Sequence, residues 1–265
     1  MLVAALPAWG KSGFRVEAIQ GPAWIERGGI PAPLPAGLAL EAGDFLHSGV
    51  DGRIIVSFPD DSRLQLGENA DALLEGYRVA DARTLVTIAH GAYRLSTTPP
   101  VDGKRRDIQL KTRALAIDIR HADMWGTTAE NSDTACLREG RVVVMRDNKL
   151  RSLEEAPACL DGAITQQEAD QQLQQTALIS GHGTNRADGT WKVNVMSLAK
   201  RDGLAKLLAQ LHAAGYPAEI IKVQVKQKKF FRLRIAGLAG KSDAMHLATR
   251  LKQENKAGEP WVSQE

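Results

Sequence analysis

The sequence predicts an α+β protein in three parts: an all-β domain over residues 14–150, a short Gln-rich helix and linker over 151–190, and a βαββαβ domain over 191–265. Three observations carry that expectation. Apolar and polar residues alternate in short runs through the first part, with helical periodicity nearly absent. A stretch with the residue preferences of a helix follows. After Trp191 the apolar period switches repeatedly between that of a strand and that of a helix. The 265 residues are 43% hydrophobic and 25% charged, which excludes a disordered tail, a collagen-like fibre or a disulfide-dense miniprotein. At roughly 100–150 residues per domain, the length allows two domains with a core each.

Residues 1–13 begin Met-Leu-Val-Ala-Ala-Leu-Pro-Ala-Trp-Gly, apolar and rich in small residues but without a basic n-region, and read as the remnant of an export signal. Strands are then expected at Phe14–Ile19, Ile54–Phe58, Arg63–Leu66, Leu85–Ile88, Ala114–Ile119 and Arg141–Met145. Pro59-Asp-Asp-Ser and Val101-Asp-Gly supply turns between them, where the acids favour the geometry without doing chemistry. In the middle part, Gln166–Ile179 is rich in helix formers and offers Ala169, Leu173 and Leu178 for one face. Gly181–Gly189 reads as a flexible polar tether.

The last part is the most informative. Trp191, Val193 and Val195 share one face of a strand, and Leu204, Leu207, Leu208 and Leu211 form the stripe of a helix ending at Gly215. Two strands, Ile220–Lys226 and Phe230–Ile235, are joined by a short basic turn. A second helix over Ser242–Gln253, capped by Ser242, and a short strand at Pro260–Val262 complete the order. That order is the one of a ferredoxin-like (RRM-like) unit, with two helices on one face of a four-stranded antiparallel sheet.

Charge is unevenly spread. The formal net charge is +3, yet from Trp191 onward 14 Lys/Arg stand against 6 Asp/Glu, and before it 20 against 25. The basic end should therefore meet something anionic. Alternation places Lys192, Asn194 and Met196, then Lys222, Gln224 and Lys226, then Phe230, Arg232 and Arg234 on the uncovered face of the sheet. This reads as a platform of cations and amides with one aromatic and no interleaved acid; the alternative is ordinary solvation of an outer face.

Two family resemblances sharpen this reading. Trp191-Lys-Val-Asn-Val-Met-Ser, His212-Ala-Ala-Gly-Tyr-Pro-Ala, Phe231-Arg-Leu-Arg-Ile-Ala-Gly-Leu, the helix bearing Ala244, and Pro260-Trp261-Val262 together resemble a SPOR domain. Such domains of bacterial envelope proteins bind peptidoglycan glycan strands stripped of their stem peptides. Asn194 stands where that family usually has Gln, Leu238 where it often has an aromatic, and Ser197 where it has a frequent Ser. The resemblance implies glycan contacts from Lys192, Asn194, Ser197, Lys222, Gln224, Phe230, Arg232 and Arg234.

More diffusely, residues 15–146 resemble the FecR-type periplasmic β-domain. The shared stretches are Glu41-Ala-Gly-Asp, the run from Gly49 through Ser57-Phe-Pro-Asp-Asp-Ser to Gly67, Gly91-Ala-Tyr-Arg, Trp125-Gly-Thr and Glu139-Gly-Arg-Val-Val-Val. That family's usual Arg is replaced by Trp125, and its helical anti-sigma region and membrane helix have no counterpart among these residues. What carries over is a β-domain for an envelope protein or glycan that the sequence does not identify.

Catalytic and cofactor chemistry finds little support. Gly237-Leu-Ala-Gly-Lys-Ser lacks the first glycine of a phosphate loop, because Ile235 occupies that place. The six histidines form no HxH or HExxH pair, and neither GxSxG nor CxxC occurs. Cys136 and Cys159 stand 23 positions apart. Outside the cytoplasm they can close a disulfide; otherwise they are two small core residues, and spacing leaves both open.

The expectation is a non-catalytic protein without cofactor, metal or membrane span. It would be exported to the periplasm of a Gram-negative-type envelope, at the septum or nearby, and bind peptidoglycan strands. The competing expectation is an RNA- or single-stranded-DNA-binding protein using the basic sheet. Against it, Lys229-Phe-Phe-Arg-Leu-Arg lacks the glycines and paired outward aromatics of such domains.

Overall fold

In the computed structural model, which describes residues 13–78, 83–98 and 107–264, the alternating runs become strands. Residues 1–12 and the Val101-Asp-Gly turn lie outside the described residues. The first part contains β1 (Arg15–Gln20), β2 (Ala23–Arg27), β3 (Ile30–Pro33), β4 (Phe45–Ser48), β5 (Arg53–Ser57), β6 (Arg63–Leu66), β7 (Asp71–Arg78), β8 (Arg83–Ser96), β9 (Asp107–Lys111), β10 (Ala116–Ala129), β11 (Ser132–Arg146) and β12 (Lys149–Leu153). Most pairings are antiparallel, and β9 runs parallel to β8. The long strands β8, β10 and β11 bend through shifts of register, which lets one strand serve two regions of sheet. Inward positions such as Val16, Leu46, Ile54, Val56, Leu64, Leu95, Ile117 and Val144 are almost entirely buried and form one core.

Two short strands follow, β13 (Ala158–Cys159) and β14 (Gly162–Ala163). Cys159 stands opposite Cys136 in register, and the two are disulfide-bonded. Helix α1 (Gln166–Gln174) is nucleated by a capping box in which Thr165 and Glu168 satisfy each other's backbone N–H groups. Its buried Ala169 and Leu173 close over Trp125 and Cys136. The helix ends before Leu178, so that residue is not part of its face.

The flexible tether expected over 181–189 is corrected. Strand β15 (Asn185–Arg186) pairs with β1 on one side and is linked to Leu238 on the other. Gln20, only 1% exposed, fastens the approach to it: its amide donates to Ile179 O (2.5 Å) and Thr184 Oγ1 (2.7 Å), and its Oε1 accepts from Ile179 N (2.8 Å). Polar composition suggested a mobile linker because the partners of these polar groups lie more than a hundred residues away in sequence.

The basic part runs β16 (Trp191–Leu198), α2 (Asp202–Ala213), β17 (Ala218–Val225), β18 (Lys228–Leu238), α3 (Lys241–Gln253) and β19 (Trp261–Gln264). Its sheet has the order β17-β18-β16-β19, all antiparallel. Both helices contribute to a second core, where Leu204, Leu211, Ala244, Leu247 and Leu251 meet Val193, Leu233 and Ile235. Ser242 does not cap α3; Gly240 occupies that place. Asp243 in the first turn instead accepts the Thr184 N–H at 2.8 Å, tying α3 to the segment before β15.

The two parts also touch directly. Gly215, at φ +78°, packs against Trp24 so closely that a Cβ would sit 2.8 Å from the indole, and its carbonyl accepts the Ala23 N–H. Arg250 of α3 reaches the Val50 carbonyl at 3.4 Å. Among the described residues no helix is long and apolar enough to cross a membrane.

Candidate functional site

Helices cover one face of the C-terminal sheet, and register decides which side chains line the other. The β17–β18 hairpin turns through Lys226 and Gln227, both at positive φ, with Val225 opposite Lys228. This two-residue turn sets Ile221 opposite Arg232, Val223 opposite Phe230 and Glu219 opposite Arg234. Residues directly opposite in an antiparallel pair share a face. The open face of β17 therefore carries Glu219, Ile221 and Val223.

The sequence expectation for β17 is thereby reversed. Lys222 stands opposite Phe231 and Gln224 opposite Lys229, on the side of Leu233 and Ile220. Neither shares a face with Phe230, Arg232 and Arg234. Alternation alone gives two faces for a strand but not which one matches its neighbour, and a one-residue difference in the turn exchanges them. The absence of acids is also corrected: Glu219 accepts a hydrogen bond from Arg234 Nε at 2.7 Å.

On β16 the alternation is interrupted. Asn194 stands opposite Arg234, Met196 opposite Leu233 and Ser197 opposite Arg232, with a bulge at Val195 between them. The bulge removes Met196 from the expected face and brings Ser197 to it. Asn194 is 1% exposed, and its amide donates to Ser263 Oγ (2.8 Å) and the Trp261 carbonyl (3.3 Å). It joins β16 to β19 from inside the sheet. Lys192 is likewise buried.

Arg232 is the centre of what remains. Its Nε donates to Ser197 Oγ at 3.1 Å, and its guanidinium carbon lies 5.2 Å from the centroid of the Trp261 ring. The plane is thus fixed from two sides, while the terminal nitrogens have no acceptor among the described residues. Half-buried Phe230, Ile221 and Val223 continue the surface toward the hairpin, where Lys226, Lys228 and Lys229 are exposed. Arg234 differs, being held by Glu219 with its side chain 17% exposed.

Trp261 is the functional candidate that reading by strand alternation missed. It is 40% exposed and faces the open side opposite Asn194 in register. A large aromatic that remains exposed in a strand is the signal that could have found it. Among the described residues, no group of three or more His, Cys, Asp or Glu side chains is arranged to hold a metal ion.

The family model for the SPOR domain matches residues 187–264, the stretch that builds this sheet and both of its helices. No curated protein matches the chain. Two crystal structures of a proposed anti-sigma factor from Parabacteroides distasonis ATCC 8503 show a distant likeness. The one at 2.50 Å has TM-score 0.39 and 12% identity, covering 70% of this chain and 96% of that one. The one at 1.65 Å has TM-score 0.36 and 11% identity, covering 72% and 96%.

Proposed function

We propose that this protein binds peptidoglycan glycan strands stripped of stem peptides, using the open face of its C-terminal sheet, and breaks no bond in doing so. The observation that carries this reading is Arg232, oriented by Ser197 and Trp261 with its terminal nitrogens unengaged. The SPOR match over residues 187–264 supports it. Removing a stem peptide leaves a lactyl carboxylate on each muramic acid, so the strand becomes a regularly spaced polyanion. A guanidinium held in one plane meets such a carboxylate through two parallel hydrogen bonds. Trp261 and Phe230 offer flat surfaces to sugar rings. Lys192 and Asn194 act as framework, and Lys222 and Gln224, on the opposite face, have no part in the contact.

In this reading the C-terminal unit is ferredoxin-like, and the N-terminal strands form a FecR-type β-domain that presents a second envelope surface. The protein would work in the periplasm, where the Cys136–Cys159 bond persists and where septal peptidoglycan is stripped of peptides. The test is co-sedimentation of the full chain with purified sacculi, with and without amidase treatment, beside Arg232→Ala, Trp261→Ala and a single-stranded RNA competitor. Binding should rise with peptide removal and fall at least tenfold in either variant. Equal binding before and after amidase treatment, or displacement by RNA at low salt, would defeat the proposal.

A further inference from the structure

The C-terminal sheet leaves one edge uncovered. Among the described residues β17 is paired with β18 alone, without a shift of register, and residues 219–225 make no backbone hydrogen bond along the other edge. Such a row of unused N–H and C=O groups is a template for a further strand, and proteins usually blunt it. The edge strand β3, for example, carries Pro31 and Pro33. Strand β17 has eight residues and no proline, and its apolar residues lie on both faces: Ile221, Val223 and Val225 on the open side, Ile220 toward the helices. Val225 is 45% exposed, and the other three are half-buried.

A groove lies beside this edge, between α2 and β17. About 200 Å³ in volume, it is lined by Ala205, Leu208, Ala209 and His212 of the helix and by Ile220 of the strand, with Arg201 and Asp202 adding one charge of each sign. His212 Nε2 donates to the Ala218 carbonyl at 2.7 Å, which fixes the flank of the helix against the start of the strand. A strand laid along β17 alternates its side chains between the two faces. On the helix side one of them enters the groove against Leu208 and Ile220, and the next meets Lys222, which is exposed and has no acceptor among the described residues. On the open side its neighbours are Ile221, Val223 and Val225.

We propose that β17 and this groove receive an extended segment of another protein, apolar along one face and carrying on the other an acidic residue next to the one that fills the groove. Backbone hydrogen bonds to the edge hold the segment, the groove admits one apolar side chain, and Lys222 selects the acid. Charge argues for a foreign segment and against a second copy of this chain. From Trp191 onward 14 Lys/Arg stand against 6 Asp/Glu, and Lys226, Lys228 and Lys229 are exposed at the end of β17, so a second copy would bring the same cations to the same edge. The edge is distinct from the face that carries Arg232, and the proposal does not rest on the glycan reading.

The experiment is an NMR titration of the full chain with the capped peptide Val-Glu-Val-Glu-Val-Leu-Thr and with its counterpart bearing Lys in place of Glu. Amides of residues 219–225 and 205–209 should shift with the acidic peptide, which should bind at least tenfold tighter than the lysine one. Lys222→Glu, an exposed change, should abolish that preference. Ala209→Gln, at an exposed position of α2, puts a longer side chain into the groove and should weaken the acidic peptide severalfold. Methylating every second backbone nitrogen of the peptide should abolish binding in one phase and spare it in the other, because an added strand bonds along one edge. Any of the following would overturn the proposal: no shifts along β17 at millimolar acidic peptide; equal affinity for the two peptides; a preference unchanged in Lys222→Glu; equal binding by both methylated peptides; or a dimer in sedimentation velocity with the amides of 219–225 protected from exchange, which would assign the edge to a second copy.

Discussion

Gln20→Ala tests whether residues 179–186 are a built joint or a tether. Gln20 is 1% exposed and makes three hydrogen bonds, two donated to Ile179 O and Thr184 Oγ1 and one accepted from Ile179 N. A hydrogen bond contributes ~0.5–1.5 kcal/mol net. Three would give up to about 4.5 kcal/mol, and water reaching the exposed Ile179 lowers the expectation to about 2–3 kcal/mol. For a chain of this size that corresponds to a fall in Tm of roughly 5–10 °C. Gln20→Glu should be at least as harmful, because a carboxylate keeps the contact to Ile179 N but faces the Ile179 carbonyl without a proton to donate. Calorimetry gives the stability change, and hydrogen exchange locates it. In Gln20→Ala the amides of Thr184–Arg186 should lose protection before those of β5 or β18. A variant within about 0.5 kcal/mol of the parent, with that protection unchanged, would refute the joint.

Other outcomes follow from single features. Replacing Cys136 and Cys159 together by Ser should cost about 3 kcal/mol, and adding reductant to the parent should lower its Tm by the same amount as the double variant. Burial tends to raise the Glu254 carboxyl, but hydrogen bonds from Lys256 and Arg250 outweigh it and hold the group below the usual carboxylate range. Its contribution is therefore full above the unfolded value of about 4.3 and is lost as pH falls through the lower folded value. Glu254→Gln should flatten that part of the acid-denaturation curve, and an unchanged curve would count against the cluster. Lys226→Asn with Gln227→Gly places turn-favoured residues at two positive-φ positions, and chemical denaturation should show a gain of about 1 kcal/mol.

Much of the strand and helix order was legible because it rests on local periodicity. Leu204 and Leu211 mark α2, and Leu233 and Ile235 mark the inner face of β18, by the same alternation that buries them. The site was less legible because it depends on register and on irregularity. Nothing within Ile220–Lys226 says that Lys222 meets Phe231 and not Arg232; the two-residue turn at Lys226 and Gln227 settles that. Ser197 was reached through a family resemblance, and the physical reason for its placement is the bulge at Val195, which has no composition signature. Asn194 looked like a ligand-contacting amide because polar residues on an outer strand position are usually solvated. Here β19 folds alongside, and Ser263 and the Trp261 carbonyl occupy its amide. The disulfide was left open by spacing and is set by register, Cys136 opposite Cys159.

The charge asymmetry and the geometry of the open face now separate into two roles for the proposed glycan contact. Exposed Lys226, Lys228 and Lys229 sit at the hairpin tip, where solvent screens them and where they act on an approaching polyanion before contact. Arg232 lies nearer the centre, half-buried and stacked on Trp261, so its interaction is formed only on docking and is screened less. Neutralising the three lysines should therefore slow association and reduce its dependence on salt, with little change in dissociation. Arg232→Ala should do the opposite, leaving the salt dependence of association nearly intact while speeding release. If all four substitutions changed association and dissociation alike, the face would be a diffuse basic patch, and the fixed guanidinium would have no special part in holding the strand.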